Sequence, residues 1–171
     1  LGAFAQTLML LGYPDQARRV ARDAVERAEA SGFVYDRIWA LFQSAELAMY
    51  LEQREPAWRQ ARAAAELAER HGFPFWATAA GGIIGWAELW PVRAELAAPS
   101  KAGPKAGVES HLRRASDTAR HQQARWWELR ALDSWARLCD PAPSELHAAF
   151  EPLLATWHEG ADLELLSRAR K

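Results

Sequence analysis

Cysteine is nearly missing from this chain: Cys139 is alone among 171 residues. A lone thiol closes no disulfide framework, so a reducing compartment, read here as the cytoplasm, is the simpler expectation. Runs of Val, Ile and Thr are scarce as well, while alanine is abundant. That balance disfavours strands and favours helices. No apolar run approaches the ~20 residues needed to span a bilayer, and no basic segment leads into an apolar one. A membrane partner is therefore not expected. Charge of one sign is missing too. The formal net charge is −1, which gives a nucleic-acid partner little electrostatic support. The chain begins at Leu1 rather than Met, so it reads as a piece of a larger protein.

Catalytic and metal-binding groupings are also scarce. His71, His111, His121, His147 and His158 include no pair at i, i+4 and have no cysteine pair beside them, so no metal site is expected. His71 and His121 suit the last turn of a helix, where a cation-capable side chain meets the negative end of the dipole. Cys139 precedes Asp140-Pro141 with no poised base nearby and reads as a small apolar side chain. Carboxylates such as Glu66 and Glu69 have Arg62 and Arg70 as ordinary helix-face partners. The spacing GxxxxGK[ST] does not occur, so nucleotide hydrolysis has no phosphate loop. We expect no catalytic residues, no cofactor and no metal.

What is present is a recurring phrase. SGFVYDRIWALF starts at Ser31, HGFPFWATAAGG at His71 and QQARWWELRALD at Gln122. Aligned, Tyr35, Phe75 and Trp126 coincide, and so do Ala40, Ala80 and Ala131. ARDAVERAEASGF from Ala21 matches ARAAAELAERHGF from Ala61 at the same offset. LGYPDQARR from Leu11 corresponds to EQREPAWRQ from Glu52 after a two-residue slip. The phrase is a joint between helices. Gly32 and Gly72 sit where a left-handed glycine closes a helix, and Pro14, Pro56 and Pro74 suit helix starts. Ala17, Val20, Ala21, Ala24, Val25 and Ala28 form one apolar stripe at helical spacing, repeated by Ala57, Ala61, Ala64, Ala65 and Ala68.

The spacing predicts eight helices, near 1–11, 14–31, 35–52, 56–71, 74–90, 105–122, 125–139 and 143–158, with a short tail helix from Ala161. Aromatic-rich helices alternate with alanine-rich charged ones. Such pairs bury their apolar faces only by stacking, which predicts one all-α domain over 1–171, a right-handed superhelix of antiparallel helix pairs. AAPSKAGPKAG, from Ala97, reads as an irregular loop over about 97–107.

The segments LGYPDQA, HGFPFW, GWAEL and ARWWELRALDSWARL, with the closing EPLLATWHEGADLELLSRARK, resemble the tetratricopeptide-like C-terminal region of large bacterial regulators. In that family the repeats follow a predicted ATPase module, often with an adenylate or guanylate cyclase domain. The likeness runs over nearly the whole chain and is most specific in the last fifty residues. It implies a non-catalytic interaction or scaffold module that regulates the parent protein. By repeat position, Ala5, Ala45, Gly85 and Ala136 resemble the small first-helix contact position, and Ala17, Ala57, Ala24 and Ala64 the second-helix ones. The groove-lining positions then fall at Trp39, Phe42, Glu46, Met49 and Tyr50, at Trp86, Leu89 and Trp90, and at Arg130, Asp133 and Arg137.

The expected partner is a protein or peptide segment, including other domains of the parent chain, with a homodimer through exposed repeat ends also foreseen. The alternative is a sensor that binds a small molecule in the concave groove. Nine tryptophans need a place in either case. Core filling is the bland explanation for each, and a stacking surface is the sharper one for Trp39, Trp86 and Trp90. Trp126 and Trp127 are adjacent and cannot both face the core. The basic run HLRRASDTARHQQAR, from His111, reads as a solvated helix face.

Overall fold

The computed structural model describes residues 1–89, 108–139 and 141–170. Among them are nine helices and no strand. They are α1 (Gly2–Leu10), α2 (Pro14–Ser31), α3 (Val34–Tyr50), α4 (Arg54–Arg70), α5 (Pro74–Glu88), α6 (Val108–His121), α7 (Arg125–Cys139), α8 (Pro143–Leu154) and α9 (Glu164–Ala169). The all-helical expectation holds, and each expected helix has a counterpart. No helix among the described residues is long and apolar enough to cross a membrane. The expected loop over 97–107 lies outside the described residues.

Several boundaries move, and two of the shifts have a local reason. Helix α4 begins at Arg54, so Pro56 sits inside its first turn, where its missing N–H is not needed. Helix α8 ends at Leu154 rather than near 158, soon after Pro152 enters its last turn.

Four joints share one pattern of hydrogen bonds; the Ser31–Gly32 joint departs from it, its Phe33 N–H donating to the Ser31 hydroxyl oxygen at 3.2 Å. The N–H of Tyr13 donates to the Leu8 carbonyl at 2.9 Å, Gln53 to Ala48 at 2.8 Å, Phe73 to Ala68 at 2.8 Å and Ala124 to Ala119 at 2.9 Å. In each case the preceding residue also donates back across the turn: Gly12 to Met9, Glu52 to Met49, Gly72 to Glu69 and Gln123 to Arg120. This is the Schellman arrangement, in which a residue at positive φ turns the chain so that the last carbonyls of the helix are satisfied. That residue is Gly72 at φ 76°, but it is Glu52 at φ 59° and Gln123 at φ 55°. The repeat thus conserves the turn while changing the side chain. Helices α2 and α4 start forty residues apart, at Pro14 and Arg54, so the two-residue slip between those segments is not present.

The described chain divides into two compact units. The first contains Leu1–Thr7 and Asp15–Leu96, and the second Leu8–Pro14 and Ala97–Lys171. In the first unit α4 packs against both α3 and α5, and α3 also touches α5. Its core is made of small residues: Ala45, Ala48, Ala57, Ala61, Ala64, Ala65 and Ala80 are buried together with Ile83. Alanine lets helix backbones approach closely, and Leu41, Phe42, Met49, Ile84 and Trp86 cover the margins. Ala5, Ala17 and Ala24 are buried as well. Gly85 differs. No described atom beyond its own turn of helix lies within 4 Å of where its Cβ would be, so it is not a point of close helix contact among the described residues.

The second unit uses large residues. Trp126, Leu129, Leu132, Trp135, Phe150, Leu153, Trp157 and Leu166 are buried. The rings of Trp126 and Trp157 lie 6.3 Å apart. The adjacent tryptophans divide as helix geometry requires: Trp126 is 1% exposed and Trp127 is 40% exposed.

Candidate functional site

Trp39, Phe42, Glu46, Met49 and Tyr50 recur at three- and four-residue steps along α3, so they share one side of the helix. The structure brings the first two into an aromatic group with α5. Trp39 meets Trp76 edge-on, with ring centroids 4.8 Å apart, and stacks on Phe42 at 6.4 Å. Trp76 also meets Phe42 at 5.4 Å, Tyr35 at 6.2 Å and Phe75 at 4.7 Å. Tyr35 reaches Phe73 at 5.8 Å. Trp76 is half-buried at the centre of this group. Around it Tyr35, Trp39 and Phe75 remain 47%, 38% and 68% exposed. Three large rings thus face solvent on a base of further rings, and edge-to-face packing fixes their orientation.

The polar members of the stripe lie farther along α3. Gln6 on α1 donates its amide to Glu46 and, at 2.8 Å, to the Gln43 side-chain oxygen. The Tyr50 hydroxyl donates to Glu46 at 3.4 Å. Burial, then the Glu46 charge, then this hydrogen bond hold the Tyr50 phenol above its ordinary pKa. A Cβ on Gly2 would come within 2.8 Å of Gln43 Cβ, so α1 approaches α3 closely at its start. Met49 and Trp86 pack against the alanine core rather than joining the aromatic group. Leu89 caps α5 and is exposed. Trp90 lies outside the described residues.

Arg130, Asp133 and Arg137 lie on α7 in the second unit. Asp133 is buried, and two guanidiniums enclose its carboxylate. Arg168 of α9 binds both oxygens, at 3.1 and 3.2 Å, and Arg137 Nε lies 3.0 Å from Oδ2. Burial alone would lower the Arg168 pKa. The hydrogen bonds and charges of Asp133 and Glu164 outweigh it and leave the guanidinium above its ordinary value. Asp133 is therefore held in place by two guanidiniums. Arg130 stands over the Trp127 ring at 5.9 Å. Beside the Asp133 pairs opens a cleft of about 730 Å³ between α7, α8 and α9.

The sequence reading missed Trp76 and Arg168. Trp76 is in the first turn of α5, ahead of the repeat positions assigned to the groove. Its aromatic character and its place beside Phe75 were the available signals. Arg168 pairs with a residue 35 positions away, and nothing in the spacing of a six-residue helix announces that contact.

Among the described residues no three metal-ligating side chains converge. Burial first, and then the Glu109 carboxylate, raise the Cys139 pKa, with Arg113 pulling the other way. A thiol held so is less of a thiolate at neutral pH. The basic face of α6 is partly neutralised, since Arg113 pairs with Glu109 and Glu145, and Arg120 with Asp117 and Glu128. Set against family models, curated proteins and solved structures, the chain has no match in any of the three comparisons.

Proposed function

We propose that this chain is a non-catalytic interaction module that docks a peptide or protein segment on the aromatic face of α3 and α5. The observation that carries this reading is the group of exposed rings, Tyr35, Trp39 and Phe75, built on Trp76. Exposed aromatics in fixed rotamers give large contact area at little further entropic cost, which is how hot spots of protein interfaces are made. The neighbouring Glu46, Gln6 and Tyr50 would supply polar selectivity at the edge of that contact.

The same reading includes the architecture. A right-handed, tetratricopeptide-like stack is supported by the forty-residue offsets between α2 and α4 and between α3 and α5, and by the shared joint chemistry. The role it suggests is the regulatory C-terminal part of a bacterial ATPase- or cyclase-type protein working in the cytoplasm. Binding would favour one of two domain arrangements in that parent protein.

Selection of displayed random peptides against the intact chain tests the reading. Selected peptides should be rich in apolar anchors and should bind a Trp39→Ala, Phe75→Ala variant at least about tenfold more weakly, a loss typical of two hot-spot residues. Circular dichroism should show the variant's helices intact, since both residues are substantially exposed. Peptides that bind wild type and variant equally would refute the aromatic face as the docking site.

A further inference from the structure

The charges of the first unit are sorted by helix. The alanine-striped helices carry the cations: α2 has Arg18, Arg19, Arg22 and Arg27, and α4 has Arg54, Arg59, Arg62 and Arg70. The helices around the aromatic face have almost none. Apart from the amino group of Leu1, they bring one cation: α1 and α5 contain no lysine or arginine, and α3 contains Arg37 alone. Arg37 precedes Trp39 by two residues, about 200° around the helix, and lies 3.9 Å from Glu29 of α2. The aromatic side of α3 carries a carboxylate instead. Glu46 follows Phe42 by one turn, and Asp36 is exposed beside Tyr35. The Glu46 oxygens accept from two neutral donors, the Gln6 amide and the Tyr50 hydroxyl, and among the described residues no guanidinium pairs with them. Arg54, at the start of α4, donates to the Ala87 carbonyl at 2.8 Å, while Arg59 and Arg62 pair with Glu55 and Glu66 of their own helix. A carboxylate has about four lone-pair sites, so Glu46 keeps acceptors for a partner. The faces of the exposed rings carry negative potential as well.

We propose that the segment docked on this face is basic: an extended peptide with an apolar anchor on Trp39 and Phe75 and an arginine whose guanidinium meets Glu46. This rests on the docking reading above and adds the charge of the partner. Seven residues separate Trp39 from Glu46 on α3, about 10 Å at the helical rise. An extended chain covers that span in about three residues, so the anchor and the arginine stand about three positions apart. Between them lies Phe42, half-buried, over which a flat guanidinium stacks better than an ammonium. An acidic segment would meet Glu46, Asp36 and the ring faces with no arginine or lysine beside them to offset the repulsion. A neutral segment would gain nothing from Glu46 beyond what Gln6 and Tyr50 already gain.

Peptides selected by display against the intact chain supply the probes. The selected set should be enriched in arginine and lysine over the starting library. One selected peptide is then synthesised in three forms, with its arginine intact, as citrulline, and as glutamate. The citrulline form keeps the shape without the charge. It should bind about tenfold more weakly than the arginine form, the scale of one charge-assisted contact, and the glutamate form more weakly still. Glu46→Gln keeps an acceptor for Gln6 and Tyr50. Against that variant the arginine and citrulline forms should bind within about twofold of each other, because the pair they report is gone. Circular dichroism of the variant should show its helices intact. Two results would overturn the basic assignment and leave the docking reading standing, provided the peptides still lose affinity for the Trp39→Ala, Phe75→Ala variant. One is a selected set with no excess of basic residues. The other is a citrulline form that loses as much against Glu46→Gln as against wild type. Peptides that bind the double variant as tightly as wild type would overturn both readings.

Discussion

Tyr50 shows how a single side chain connects the site to stability. Its phenol sits beside the Glu46 carboxylate and is partly withdrawn from water, so its folded pKa exceeds the ordinary tyrosine value. The folded chain therefore keeps a proton that the unfolded chain loses. Stability from this source is fully present below the ordinary value of about 10 and is lost as pH rises from there through the folded pKa. Tyr50→Phe cannot lose it. The variant starts slightly less stable for want of the hydrogen bond. Denaturant unfolding at about pH 9 and about pH 11 should show wild type declining relative to the variant across that window. Parallel declines would mean that Tyr50 titrates alike in both states. Trp39 and Phe42 were legible in the sequence because they fall on one helical stripe. The edge-on contact between Trp39 and Trp76 was not, because it depends on how α3 and α5 cross, and periodicity within one helix says nothing of that.

At the scale of the element, the joints decide where helices stop. Proline at the starts and glycine at the ends made Gly72 and its equivalents readable before any coordinates. The joint at Gln122-Gln123 could be seen only as a break in the apolar pattern, since glutamine carries no signal for a left-handed backbone. Yet Gln123 takes φ 55° and its neighbour Ala124 makes the same back-bond as Phe73. A residue with a Cβ is strained in that region by roughly 1–2 kcal/mol, and glycine avoids that strain at a smaller entropic penalty. Gln123→Gly should therefore raise stability by up to about 1 kcal/mol in chemical denaturation. Gly160→Ala should act in the opposite sense and more strongly. Its φ is 74°, and an added Cβ would lie 2.7 Å from Pro14 Cγ and 2.8 Å from Leu163 Cδ1. Gly72→Ala, at φ 76° but in open space, should cost less than Gly160→Ala. Equal costs at the two positions, whose φ values nearly coincide, would show that backbone conformation, not side-chain crowding, dominates at these turns.

For the whole molecule, the all-helical class and the helix order could be read from alanine stripes punctuated by glycine and proline. The difference between the two cores could not. One unit is closed by alanines, where helix backbones approach each other, and the other by tryptophans and leucines. Composition averages over both. That difference also sorts the nine tryptophans. Trp126, Trp135 and Trp157 are core in the second unit, while Trp39 and Trp76 form the surface group of the first. The central claim, that this surface group is where a partner docks, is tested most directly by the indole N–H signals of the tryptophans in a two-dimensional NMR titration with a selected peptide. The account predicts that Trp39 and Trp76 shift and broaden together at stoichiometric peptide, while Trp126 and Trp157 stay in place. Shifts confined to the tryptophans of the second unit, with Trp39 and Trp76 unmoved, would contradict it.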